Sequence, residues 1–284
     1  MRSSYLSKRR LEELDRILPE RDKAVLRSLE QCRYLSTGQI QRLHYTDSKT
    51  TTSGLRLANM GTAKLRSYGL IDMLERRIGG VRAGSKAYVW SLTESGVHLL
   101  NLHNTKYTPR KRAFEPSLNF LKHTLEVAET YVQLTEICKR NNLGLVNIEM
   151  EPVCWRGYTG EDGTPATMKP DMFAVTSGGD YEDSWFIEVD MNTESPSKVV
   201  DKCRRYTRYY KSGIEQKQHG VFPLVVWIVY SQSRKDKLRQ YISECRDITE
   251  QNKGIFMIIM PDEFEPLIVG GVEAITERKG GKAS

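Results

Sequence analysis

At 284 residues the chain is long enough for one large or two modest domains, and no apolar run approaches the roughly 20 residues of a membrane-spanning helix. Its five cysteines (Cys32, Cys138, Cys154, Cys203, Cys245) are scattered without a CxxC pair, which excludes a disulfide framework or a zinc cage and reads as reduced, mostly buried thiols of a cytoplasmic protein. The net charge of +7 is uneven: residues 1–112 carry 22 Lys+Arg against 10 Asp+Glu, and residues 113–284 carry 21 against 26, so a polyanion-binding module is expected ahead of a different functional module.

The N-terminal stretch has basic residues but no apolar core behind them, so a secretory signal is not expected. Arg2 to Asp15 reads as a charged amphipathic lead-in, and Pro19-Glu20-Arg21-Asp22 opens a helix that turns Ala24, Val25, Leu26 and Leu29 inward. Ser36 or Thr37 caps a second helix with Ile40 and Leu43 on its buried face. A third is expected over 50–67, with Leu55, Ala58, Thr62 and Leu65 facing the core and Lys49, Thr51, Thr52 and Arg56 facing out. Gly54 and Gly61 each lower helix propensity by about 1 kcal/mol and are places where that helix could bend. A strand after Tyr68-Gly69-Leu70-Ile71, a basic Gly-rich turn holding Arg76, Arg77, Arg82 and Lys86, and a returning strand over 88–92 form a ribbon. Three helices followed by a basic-tipped ribbon is the winged helix-turn-helix plan, with the third helix in the major groove and the wing on phosphate. Residues 1–100 are therefore read as a winged-helix domain that binds double-stranded DNA, and 101–116, with Arg110-Lys111-Arg112, as a linker.

The second domain is read over 117–265. A long helix from Ser117 to about Asn141 buries Leu118, Leu121, Leu125, Ala128 and Val132, with Glu129 at the edge of that stripe. His123 reads as a structural hydrogen-bonding residue. A strand over 143–151 and a Gly-rich loop over 156–169 follow, then Lys169-Pro170-Asp171, an alternating run over 172–176, a turn at Ser177-Gly178-Gly179-Asp180, and Trp185-Phe186-Ile187-Glu188-Val189-Asp190. This hairpin sets Asp171 near Glu188, and the period of two puts Glu188 and Asp190 on one face. Three carboxylates at one sheet end repel unless something positive sits among them, and a divalent ion with oxygen ligands is the simplest candidate. Glu149 or Glu151 could add a fourth. A helix over 196–211 carries Lys198, Lys202, Arg205, Tyr206 and Tyr209; its tyrosines could stack on bases but more commonly pack on a sheet. A buried strand over 223–230, a helix over 234–245, a buried strand over 254–260 and a tail over 266–284 complete an α/β (α+β) reading with a mixed sheet.

The order α-β-β-β-α-β, with Pro170-Asp171 on one strand and Glu188-x-Asp190 on the next, resembles the PD-(D/E)XK nuclease-like fold. The resemblance implies Asp171 and Glu188 as metal ligands for Mg²⁺ or Mn²⁺, and Glu129 as a third acidic contributor. The position of the motif lysine is Asp190, so the lysine would have to come from the next helix, where Lys202 stands. Over nearly the whole chain the sequence also resembles the replication-relaxation family of Gram-positive plasmids and mobile elements, through His123-Thr-Leu-Glu-Val-Ala-Glu129, Pro170-Asp171, Phe186-Ile-Glu-Val-Asp-Met-Asn-Thr-Glu194, Lys202 with Tyr206 and Tyr209, and Phe222-Pro223. That implies a plasmid DNA-processing protein, acting in replication, relaxation or mobilisation, that could nick DNA. The alternative is a cleavage-inactive initiator or relaxosome accessory factor that uses the nuclease fold for binding or dimerisation. Replication or relaxosome proteins and a second copy of the chain are candidate partners, and a transcription regulator with a small-molecule sensor domain is a third class.

Overall fold

Side-chain caps decide where the first helices begin. In the computed structural model of the chain, residues 6–74, 88–103, 116–160, 163–192, 194–245, 247–249 and 252–280 are described, the last five without their side chains. Helix α1 (Lys8–Ile17) starts at Ser7, whose hydroxyl accepts the Arg10 N–H, and α2 (Glu20–Cys32) follows Pro19. After the short strand β1 (Leu35–Ser36), α3 (Thr37–His44) is capped by Ser36 in a reciprocal box with Gln39. Helix α4 (Thr51–Ser67) has the same device, Thr50 with Ser53. Strands β2 (Ile71–Met73) and β3 (Val89–Leu92) join β1 in an antiparallel sheet ordered β1-β3-β2, closed by α5 (Glu94–Leu100) from its Thr93 cap. These elements follow the order expected of the winged helix plan. The ribbon tip with Arg76, Arg77, Arg82 and Lys86 lies outside the described residues, as does most of the expected linker.

Helix α4 keeps the expected register at three of its four inward positions and departs at the first. Gly54, Ala58, Thr62 and Leu65 are buried, whereas Leu55, expected in the core, is 36% exposed. Gly54 takes the inward place expected of Leu55, and neither glycine breaks the helix. A Cβ on Gly54 would lie 2.6 Å from Ser48 Oγ and 2.9 Å from Gln41 Nε2, and one on Gly61 only 2.0 Å from the Tyr45 hydroxyl. Both let α4 approach α3 and the turn behind it more closely than any other residue would. Thr51, Thr52 and Arg56 are exposed, as the helix period requires, and so is Lys49 just ahead of the Thr50 cap.

The chain divides into two compact units, Met1–Val132 and Gln133–Ser284. The division falls inside α6 (Leu118–Arg140), later than the expected linker. In the first unit, Leu121 of α6 packs with Tyr34 and Val89. Leu118, expected in the buried stripe, is 44% exposed one turn earlier.

The second unit is built on a five-stranded mixed sheet ordered β10-β9-β8-β7-β4, formed by β4 (Gly144–Met150), β7 (Met172–Gly178), β8 (Tyr181–Asp190), β9 (Leu224–Val229) and β10 (Phe256–Ile259). Strands β4, β7 and β8 pair antiparallel; β8, β9 and β10 pair parallel. Parallel neighbours need crossovers, supplied by α7 (Pro196–Ser212), with the short α8 (Ile214–His219) behind it, and by α9 (Gln232–Glu244). Phe186, Val225 and Trp227 of the sheet bury against Val199, Cys203, Tyr206 and Tyr209 of α7 and Leu238 of α9. The stretch read as a Gly-rich loop holds a hairpin, β5 (Arg156–Thr159) with β6 (Pro165–Met168), and its Tyr158 and Met168 join that core. The expected tail is helix α10 (Phe264–Gly280), interrupted at Gly271, with Leu267, Ile268 and Ile275 buried. All five cysteines are buried free thiols. Among the described residues no helix is long and apolar enough to cross a membrane.

Candidate active site

The register of the β7–β8 hairpin positions two carboxylates. Met172 pairs with Ile187, so Asp171, one residue before β7, comes opposite Glu188. Asp171 Oδ2 accepts the Val189 N–H at 2.8 Å, which fixes its side chain along the end of β8. Glu188 is completely buried. Its Oε2 accepts from Lys202 Nζ at 2.8 Å and its Oε1 from the Tyr206 hydroxyl at 2.7 Å. Lys202 and Tyr206 stand four apart on α7 and so reach the same carboxylate from one helix face. Lys202 Nζ also lies 3.0 Å from Glu194 Oε1 and 5.5 Å from the centre of the Trp227 ring. The second oxygen of Glu194 is buried with no hydrogen-bond partner among the described residues.

Burial dominates the electrostatics here. It pushes the Glu188 carboxyl up to about 7, with Lys202 pulling it down and Asp171 adding to the rise. Burial also works against the Lys202 ammonium, but the Glu188, Asp171 and Glu194 carboxylates outweigh it and hold the lysine above its ordinary range. Tyr206 is held protonated by burial and by its bond to Glu188, so it is a fixed donor at neutral pH.

The other expected site residues are placed differently. Asp190 does share the face of Glu188, but it is paired with a buried arginine: Arg234 Nε donates to its Oδ2 at 2.8 Å, and the Asn192 N–H donates to Oδ1 at 2.6 Å. Arg234 donates as well to the Glu194 carbonyl at 2.9 Å, so this pair braces the turn leading into α7. The positive charge that three crowded carboxylates demanded is therefore supplied by protein, Lys202 for Glu188 and Arg234 for Asp190. Glu129 is engaged within the first unit by Arg42 and by Gln39 Nε2 at 3.2 Å. Glu149, offered as an extra acid, pairs with Arg156 at 2.9 Å. Tyr206 and Tyr209 are buried in the core, the packing role, with their hydroxyls on Glu188 and Glu215. Sequence reading missed Glu194 and Arg234 as partners of the cluster; the Lys202–Tyr206 spacing was the one local signal available.

Among the described residues no three His, Cys, Asp or Glu side chains converge into a ready metal cage. Asp171 and Glu188 nevertheless form a hard-oxygen donor pair. Mg²⁺ is commonly held by one or two carboxylates together with waters and substrate phosphates, so the residues present fit that ion or Mn²⁺.

The family model described as replication-relaxation matches residues 26–225. No curated protein matches the sequence. Among solved structures, the restriction endonuclease FokI is 12% identical over 94% of this chain and 73% of its own, with a TM-score of 0.25. FokI bound to DNA is 14% identical over 91% of this chain and 45% of its own, with a TM-score of 0.24. Similarity this low leaves the fold to be read from the chain's own strand order.

Proposed function

Because the chain belongs to the replication-relaxation family, we propose that it processes plasmid or mobile-element DNA, binding a double-stranded site through its first unit and nicking a strand with its second. The exposed N-terminal face of α4, with Lys49, Thr51, Thr52 and Arg56, supports base contact. The observation that carries cleavage is the group Asp171, Glu188 and Lys202, two carboxylates and an ammonium at the end of one hairpin. Asp171 and Glu188 would hold Mg²⁺ or Mn²⁺, which when bound polarises a phosphoryl oxygen and acidifies water. Tyr206 orients Glu188, and the Val189 N–H orients Asp171. Lys202 supplies positive charge to the phosphoryl oxygens as negative charge develops, with Glu194 holding it near that position.

The test is incubation of supercoiled plasmid from the parent element with protein and Mn²⁺, read as nicked circles. Lys202→Ala should lose about 10²–10³ in rate, while still melting higher with Mn²⁺ as the wild type does. Asp171→Asn should lose both nicking and the metal response. One observation favours a second reading, a cleavage-inactive initiator or relaxosome accessory factor: both Glu188 oxygens are already hydrogen-bonded. A wild type that responds to metal but never nicks its own plasmid would select that reading, and a wild type with no metal response would remove the metal assignment.

A further inference from the structure

The DNA-processing reading needs a strand to reach Lys202. The outer face of α7 offers such a path. Residues 113–284 carry a net negative charge, yet the 17 residues of α7 hold six cations (Lys198, Lys202, Arg204, Arg205, Arg208, Lys211) and one acid, Asp201. Asp201 and Asp247 are both taken by Arg204, at 3.3 and 2.8 Å. Lys198, Arg205, Arg208 and Lys211 are exposed, and none of them makes an ion pair or hydrogen bond among the described residues. At 100° per residue Lys198, Lys202 and Arg205 fall within one narrow stripe, with Arg208 a turn further on. The stripe from Lys198 to Arg208 is about 15 Å long at 1.5 Å per residue. Lys202, at its inner edge, is the cation that reaches Glu188.

Unpaired arginines and lysines at this spacing raise the local positive potential in an otherwise acidic unit. Such a stripe suits a ligand with regularly repeated negative charge. Arg205 and Arg208 also stand near enough to Tyr158, on the β5–β6 hairpin, to act on its hydroxyl, so the stripe borders that hairpin. We propose that the outer face of α7 is a second DNA-contact surface, in which Lys198, Arg205 and Arg208 bind the sugar–phosphate backbone of the strand that lies at Asp171, Glu188 and Lys202. This inference rests on the DNA-processing reading and adds to it a nonspecific backbone site within the second unit.

The experiment is fluorescence anisotropy of the full chain with labelled duplex DNA from its parent element, measured from 50 to 200 mM salt. The triple variant Lys198→Glu, Arg205→Glu, Arg208→Glu should bind more weakly at every salt concentration. It should lower the slope of log K against log salt by about 3, close to one for each phosphate no longer neutralised. Reversing three exposed cations elsewhere in the unit, Lys237→Glu, Arg239→Glu and Lys253→Glu, changes net charge equally and should leave the slope near wild type. The milder pair Arg205→Gln, Arg208→Gln should lower the slope by about 2, and serves if the triple variant fails to fold. Equal loss in the α7 and control variants would show a total-charge effect and overturn the proposal. An unchanged slope in a folded α7 variant, with the wild type still binding DNA, would overturn it and leave the DNA-processing reading intact. A wild type that binds no DNA would overturn both.

Discussion

Glu188 has no exposed surface, yet its carboxyl must ionise if it is to hold the proposed metal, and two donors from α7 stabilise the charge in place of water. Its folded-state pKa of about 7 lies above the ordinary 4.5, so between those values the folded state binds more proton than the unfolded one. The stability this group contributes is therefore fully present below about pH 4.5 and is lost as pH rises through about 7. Glu188→Gln should remove that dependence, worth roughly 3 kcal/mol at most across the window. Melting temperatures of both proteins from pH 4 to 8 at fixed ionic strength would check it. Parallel curves would mean that Lys202 and Tyr206 offset burial fully. If the proposed metal binds, the same proton competes with it, and stabilisation by Mg²⁺ should strengthen as pH rises toward 7 and level off above it.

At the scale of elements, the turn between β8 and α7 depends most on a buried ion pair. It is held by Asp190 and Arg234, 3% and 5% exposed. Arg234→Ala would strand a buried carboxylate and should cost about 3–5 kcal/mol, the usual effect of removing one member of a buried pair. Replacing both members with apolar residues should restore much of that stability. Denaturant unfolding of the two single variants and the double variant measures the coupling directly, and a loss under about 1 kcal/mol for Arg234→Ala would show that the pair does not brace the turn. The brace also explains why Asp190 is unavailable to the site. Its geometry serves the start of α7, from which Lys202 then reaches back to Glu188.

For the molecule as a whole, two kinds of proposed DNA-contact residue should separate by what they do to affinity. Changes at Thr52 or Arg56 on α4 should alter which sequence is preferred, by about 1–3 kcal/mol for each bidentate pairing with a base that is removed. Changes on α7 should weaken all sequences alike and appear in the salt slope. Competition binding with a panel of single-base variants of the plasmid site distinguishes them. Uniform weakening from Arg56→Ala would mean that α4 does not read bases.

Much of this architecture was legible in the chain because it follows from local periodicity. Period two gave the β7–β8 hairpin and the juxtaposition of Asp171 with Glu188, and a hydroxyl cap marked the start of α3. The resemblance to the nuclease-like fold, not any local period, suggested that Lys202 of the following helix could replace the lysine missing at Asp190. What periodicity cannot encode is the partner a side chain meets after the elements pack. Asp190 and Arg234 are 44 residues apart, and Arg42 and Glu129 are 87 apart. No local pattern links either pair. The inward place of Gly54 was hidden for the same reason, since Gly54 and Gly61 look like breaks in a helix until Gln41 and Tyr45 lie against them. The sequence by itself determined most of the strands and helices and their charge faces, through the backbone geometry of each segment, but not the β5–β6 hairpin or α10. Only tertiary packing decided which carboxylates remain for chemistry, because a buried acid goes to whichever cation the fold brings within reach.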